Sequence, residues 1–259
     1  MKIDVVNLEG KKIKSIDLPA QFNEDYEPNL IKRAIIVIES RIRVPYGTMK
    51  SAGLDYSAKL SRRRRNYKGA YGKGISRVPR KTMWRRGMQF GWVGAMAPGT
   101  VGGRRAHPPK SEKIFDKDIN VKERKKAIRS ALSGLVKKNR INIIENTFEN
   151  LTKVKETQKI LENLGFKNEM KRTKDKTVRA GKGKRRGRKT KAKQGPIVIV
   201  SKKCNLTKVI GNLPGFEIEV VNNINTKLLT KGHREPRPTI WTEGAIEKLN
   251  KEALFTVKK

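Results

Sequence analysis

The sequence predicts an α/β protein. Its mainly parallel sheet of about four strands is flanked by helices, with a short N-terminal hairpin and a long, extended basic loop. Three observations predict this class. Runs such as Ile197-Val198-Ile199-Val200 are continuously apolar, as a strand buried on both faces must be. Apolar stripes recurring at three and four residues lie between such runs, and strands separated by helices need crossovers and hence parallel pairing. One long internal stretch has neither period and is dense in cations instead.

Residues 1–44 and 116–259 read as one globular body. Ile3-Asp4-Val5-Val6 and Lys11 to Leu18 alternate like short strands about a turn at Glu9-Gly10. Pro28 opens a helix with Leu30, Ile31, Ala34, Ile35, Ile38 and Ile42 on one stripe; it ends at Val44-Pro45, where proline denies its predecessor a helical backbone. Asn120-Val121-Lys122-Glu123 has capping-box spacing ahead of the stripe Ala127, Ile128, Ala131, Leu132, Leu135 and Val136. A strand at Ile141 to Ile144 and a helix through Leu151, Val154, Ile160, Leu161 and Leu164 follow, with Gly165 as C-cap. Beyond Ile197 to Val200 come a short helix at Leu206 to Ile210, a strand at Phe216 to Val221 and a helical turn at Thr226 to Leu229. A last strand at Thr239-Ile240-Trp241 precedes a helix capped by Thr242 and carrying Ala245, Ile246, Leu249 and Ala253.

Residues 45–115 break the pattern. Residues 41–110 hold eighteen Lys and Arg against one acid, Asp55, together with eleven of the 22 glycines, four of the five tyrosines and two of the three tryptophans. A stretch of this length without periodicity is functional or disordered, and disorder normally depletes aromatics. The expectation is an arm ordered by a partner. A second basic segment, 171–195, carries thirteen Lys and Arg and one acid between Lys171 and Lys193.

The charge names the partner class. Sixty-two Lys and Arg against 24 Asp and Glu give a net charge of +38, a self-repulsion that a polyanion relieves. Nucleic acid leads; a membrane surface or acidic proteins come behind. The single cysteine, Cys204, excludes an intrachain disulfide and fits a reducing, intracellular location. Charges at Met1-Lys2-Ile3-Asp4 do not suit an export signal, and the aliphatic run Ala34 to Ile38 is far short of a membrane span.

The main positive stripe is Arg62, Arg63, Arg64, Arg65, Lys68, Lys73, Arg77, Arg80, Lys81, Arg85 and Arg86, interleaved with Tyr67, Tyr71 and Trp84. Guanidinium groups bind phosphate bidentately and aromatic faces stack on bases, so this stripe is the first candidate nucleic-acid-binding site. Phe90 and Trp92 suit either stacking or internal packing. Arg104, Arg105 and His107 are further candidates in the same insert. In the second segment the candidates are Lys182, Lys184, Arg185, Arg186 and Arg188, spaced by Gly181, Gly183 and Gly187.

Gly72-x-Gly74-x-x-Arg77 has the look of a dinucleotide fingerprint, but it lacks the third glycine, follows no strand and precedes Pro79. It reads instead as a tight bend that approaches a phosphate or a neighbour closely, or as a flexible tip. Catalysis finds little support: His107 and His233 lie in loops without a paired acid, and no acidic cluster suits a metal. Neither cofactor nor metal is expected. The alternatives are a nucleic-acid packaging protein and a small-molecule enzyme on the α/β body, for which Asn222-Asn223 is the nearest polar pair.

Words spread along the chain carry a resemblance. They are Tyr71-Gly72-Lys73-Gly74-Ile75-Ser76-Arg77-Val78-Pro79-Arg80, Gly102-Gly103-Arg104-Arg105-Ala106-His107-Pro108-Pro109 and Lys122-Glu123-Arg124 through Ile128-Arg129-Ser130-Ala131-Leu132. Arg179 to Lys184, Asn212-Leu213-Pro214-Gly215 and Trp241-Thr242-Glu243-Gly244-Ala245 complete the set. Together they resemble the family of ribosomal protein four of the large subunit, in the archaeal rather than the longer eukaryotic form. The resemblance implies a structural role in the cytoplasmic large subunit: a body on its outer face and an arm threaded into ribosomal RNA. It also implies that the arm's tip, around Tyr67 to Pro79 with Gly72, Gly74 and Arg77, helps line the exit-tunnel constriction beside protein twenty-two. Arg62 to Arg65 are richer than the family's usual pattern. No membrane and no small-molecule substrate are implied.

An arm that lacks a core of its own is open to proteases. Limited proteolysis of the RNA-free protein is expected to cut within 45–115 and spare the body; a segment left intact contradicts that expectation.

Overall fold

The computed structural model describes residues 1–51, 58, 60–231 and 235–256. It divides into two compact units, Met1–Ser40 with Lys117–Lys259, and Arg41–Asp116. In chain order, β1 (Lys2–Val6) and β2 (Lys12–Asp17) precede α1 (Pro28–Ile42). The second unit contains β3 (Arg80–Arg86) and β4 (Gln89–Gly94), an antiparallel pair. The first unit resumes with α2 (Val121–Lys137), β5 (Ile141–Ile144), α3 (Val154–Leu161) and α4 (Lys167–Lys174). A ribbon of β6 (Thr177–Val178) and β7 (Thr190–Lys191) leads to β8 (Ile197–Val200), α5 (Leu206–Gly211), β9 (Glu217–Val220) and α6 (Thr226–Leu229). The pair β10 (Thr230–Lys231) and β11 (Glu235–Pro236) comes before β12 (Thr239–Thr242) and α7 (Glu243–Lys251).

The main sheet has the order β2-β1-β5-β12-β8-β9. The fold class is as expected, mixed α/β with a mainly parallel sheet, but the hairpin is not separate from it. Val5 and Val6 pair in parallel with Ile143 and Ile144, so β1 extends the sheet and β2 forms its antiparallel edge. Val5 is fully buried, which explains the extension: its apolar side chain completes the core beside Ile143.

Both faces of the sheet are covered. Ile197, Ile199, Trp241, Ile141 and Ile143 face α1, α2 and α7 through Ile31, Ile35, Ile128, Leu132, Leu135 and Leu249. Val198, Val200, Ile240 and Ile144 face α3, α4 and α5 through Ile160, Leu161, Met170, Leu206 and Ile210. All four residues of β8 are at 0% exposure, as an uninterrupted apolar run should be. Trp241 meets Phe22 edge-on with ring centroids 5.6 Å apart, and its indole N–H donates to Thr239 Oγ1 at 3.0 Å.

Two expected side-chain caps do not form, and one of them is replaced by a long-range cap. Asn120 occupies the N-cap position of α2 without a side-chain capping bond, and Glu123 reaches Arg33 at 3.4 Å instead. Thr242 likewise makes no cap for α7. Its hydroxyl donates to Glu149 Oε1 at 2.7 Å, while the Gly244 N–H at the start of α7 donates to Asn146 Oδ1 at 2.6 Å. The helix expected from Leu151 begins at Val154, after a single 3₁₀ segment at Asn146–Asn150 that buries Phe148. Gly165, at φ +84°, separates α3 from α4, a helix that the basic composition of its sequence conceals.

Arg237 is a cation used for folding. It is 1% exposed, and its guanidinium donates to the carbonyls of Gly195 at 2.8 Å and Pro196 at 3.2 Å and to Glu217 Oε2 at 2.6 Å. It thereby ties the entry of β8 to β9.

Gly134 in α2 shows packing overriding helix propensity. A Cβ there would lie 2.6 Å from the Tyr26 ring. In an open helix, replacing Gly by Ala gains about 1 kcal/mol. Gly134→Ala is expected to lose roughly 1–3 kcal/mol through overpacking, measured by urea unfolding followed by circular dichroism. A gain in stability would show that Tyr26 moves aside freely.

Candidate nucleic-acid interface

The sequence between Ser61 and Gly69 closes a small loop. The two residues form an isolated bridge, and Asn66 Nδ2 donates to Ser61 Oγ at 2.9 Å while the Asn66 carbonyl accepts the Gly69 N–H at 3.1 Å. Arg62, Arg63, Arg64 and Arg65 are exposed on this loop. Arg65 and Lys68 hold φ of +56° and +57°, a left-handed backbone that disfavours residues with a Cβ by roughly 1–2 kcal/mol. Closing the loop therefore has a conformational cost, and four guanidinium groups are displayed at its surface.

Three rings gather beside the loop. Phe90 lies edge-on to Tyr67, with centroids 5.2 Å apart, and to Trp92, at 5.1 Å. Phe90 and Trp92 thus pack against other rings of the unit, one of the two uses their sequence allows. Ala70, Ala95 and Ala97 are buried in the same unit. Cations lie over these ring faces. Arg85 sits 5.3 Å from the Tyr67 centroid, Arg80 5.0 Å from Trp92 and Lys73 5.9 Å from Phe90; Lys68 lies within 5.8 Å of both Tyr67 and Phe90. Arg77 covers Tyr71 at 4.5 Å. Each such contact is worth about 0.5–1 kcal/mol at an exposed site, too little to neutralise a cation.

The turn at Tyr71 to Arg77 bends through Gly72 and Gly74, at φ +76° and +65°. A Cβ at either position would meet nothing within 4 Å, so the tight bend is present while no neighbour in the chain presses on it. Arg80 fixes the exit from the turn, donating to Ser76 Oγ at 3.1 Å and to the Val78 carbonyl at 3.3 Å. Lys81, Trp84 and Arg86 are exposed on β3, as are Arg105 and His107 further on. Arg104 is half-buried, and its Nε has no hydrogen-bond partner.

The second segment folds as the β6–β7 ribbon around a 3₁₀ turn at Gly181–Arg186, closed by Gly187 at φ +73°. Lys182, Lys184, Arg185, Arg186 and Arg188 are all exposed on it. The hydrogen bond from Arg179 Nε to the Thr190 carbonyl at 3.2 Å braces the ribbon.

Among the described residues, no cation between Arg62 and Arg105, and none between Arg179 and Lys191, is in an ion pair with a carboxylate. The body differs. Arg129 meets Glu24 at 2.7 Å, Lys126 meets Glu27 at 2.6 Å and Arg172 meets Glu169 at 2.6 Å. The hydrogen bond from Lys126 to Glu27, with that carboxylate's charge, raises the ammonium group above the usual lysine range.

At the C-terminal edge of the sheet, where open α/β folds bind small ligands, several polar groups are paired with one another. Glu149 accepts from the Ser201 N–H at 3.0 Å and Ser201 Oγ at 2.9 Å as well as from Thr242, and Lys248 donates to the Ser201 carbonyl at 3.0 Å. Sequence reading missed this network because its members lie far apart in the chain. Asn223 is tied to Glu219 Oε1 at 3.0 Å. Among the described residues no group of three or more His, Cys, Asp or Glu is placed to hold a metal, and no helix is long and apolar enough to cross a membrane. His233 lies outside the described residues.

Displayed cations without carboxylate partners, on a chain of net charge +38, are the electrostatic footprint looked for in the class of polyanion-associated proteins. The chain belongs to the Ribosomal protein L4/L1 family, whose model matches residues 16–252. It is similar to Large ribosomal subunit protein uL4 of Nanoarchaeum equitans (strain Kin4-M), 40% identical over 267 residues that span 98% of this chain and 100% of that protein. The protein of the same name from Methanocaldococcus jannaschii is 40% identical over 264 residues, 96% of this chain and 98% of its own. That from Archaeoglobus fulgidus is 34% identical over 262 residues, again 96% and 98%.

Proposed function

We propose that this chain is a structural constituent of the cytoplasmic large ribosomal subunit and binds ribosomal RNA through residues 45–115 and 171–195. On this reading the turn at Gly72, Gly74 and Arg77 helps line the polypeptide exit-tunnel constriction beside protein twenty-two. One observation carries the proposal: the exposed cations from Arg62 to Arg86 have no carboxylate partner among the described residues. Family membership supports RNA of the large subunit as the polyanion.

The mechanism is scaffolding. Phosphates neutralise guanidinium and ammonium groups, and release of condensed counterions drives association. Phosphate contacts position the chain without reading sequence. Specificity comes from RNA shape, 2′-hydroxyls and unpaired bases. The body contributes rigidity, and no step makes or breaks a covalent bond.

Replacing Arg62, Arg63, Arg64 and Arg65 by Gln is expected to weaken binding to large-subunit RNA and to flatten its salt dependence. Each lost phosphate contact lowers the slope of log affinity against log salt by roughly 0.7–0.9. Filter binding over a salt series measures it; an unchanged slope would make these arginines spectators.

A further inference from the structure

The β3–β4 hairpin has two unlike faces. Cross-strand pairing of Thr82 with Trp92 and of Arg85 with Phe90 puts those residues on the face that packs against Tyr67. Pairing of Trp84 with Gly91 and of Lys81 with Val93 puts Trp84 on the opposite face, where it is 56% exposed. Its indole lies across Gly91: a Cβ at that position would come within 2.7 Å of Trp84 Cε2 and 2.9 Å of Cδ1. Gly91 therefore lets one face of the ring rest on backbone and leaves the other open.

The surroundings favour a nucleobase over an apolar protein surface. Residues 80–94 contain no Asp or Glu, and Lys81 and Arg86 share the Trp84 face by register, both exposed. A flat, supported aromatic ring flanked by cations suits an unpaired base and the phosphates on either side of it. We propose that Trp84 is a stacking platform for one unpaired RNA base, that Gly91 is the residue that positions it, and that Lys81 and Arg86 take the adjoining phosphates. The inference rests on the RNA-binding reading above and adds the chemistry of one contact.

The test uses the full chain, a single-stranded oligoadenylate and inorganic polyphosphate of equal charge. Oligoadenylate is expected to quench a tryptophan emission component that the Trp84→Phe variant lacks, and polyphosphate is expected to leave it unchanged. Trp84→Ala should weaken oligoadenylate binding roughly five- to hundredfold while leaving polyphosphate binding as it is. Gly91→Val keeps the indole but displaces it, and should reduce both the quenching and the affinity. Oligoadenylate binding that is equal in wild type, Trp84→Ala and Gly91→Val, without quenching, overturns the platform and leaves RNA binding standing. Binding of neither polymer overturns the RNA-binding reading and the platform with it.

Discussion

Charge that cannot be balanced within its own segment governs this protein. Residues 41–116 hold nineteen Lys and Arg and three acids, Asp55, Glu112 and Asp116. No rearrangement of such a segment pairs more than a few of its cations, as Lys50 pairs with Glu112 at 2.9 Å. What remains is solvent exposure, as at Arg62 to Arg65, or the weak field of a ring face, as for Arg77 over Tyr71. The small ring cluster of Tyr67, Phe90 and Trp92 gives the unit local order without relieving its charge.

The body puts its cations to a different use. Arg237 is enclosed by carbonyls and Glu217, and Arg129 joins Glu24 to the Phe255 carbonyl at 2.8 Å. Removing such a group leaves buried acceptors unsatisfied, a loss of about 1–3 kcal/mol for each one. Residue type alone does not separate the two uses. Burial and the presence of an acceptor do, and the basic ribbon β6–β7 falls on the exposed side of that division although it belongs to the first unit.

The sequence made the body legible where a single element's own side chains decide its place. The run Ile197 to Val200, the stripe of α1 and the stop at Val44-Pro45 are local signals, and the elements formed there. Contacts between distant segments were hidden: Asn146 capping α7, Glu149 collecting Ser201 and Thr242, and β1 joining β5. In the insert the cations themselves were plain to see. The β3–β4 hairpin was not, because arginines and glycines occupy the positions whose alternation would announce it. The fate of Phe90 depended on Tyr67, which comes from a different loop.

Order in the insert that depends on a polyanion is the central claim, and hydrogen exchange tests it most directly. Amides of residues 60–105 should exchange quickly in the free chain and become protected when large-subunit RNA is added, while those of β8 and β12 stay slow in both states. Equal protection of 60–105 with and without RNA would contradict the account.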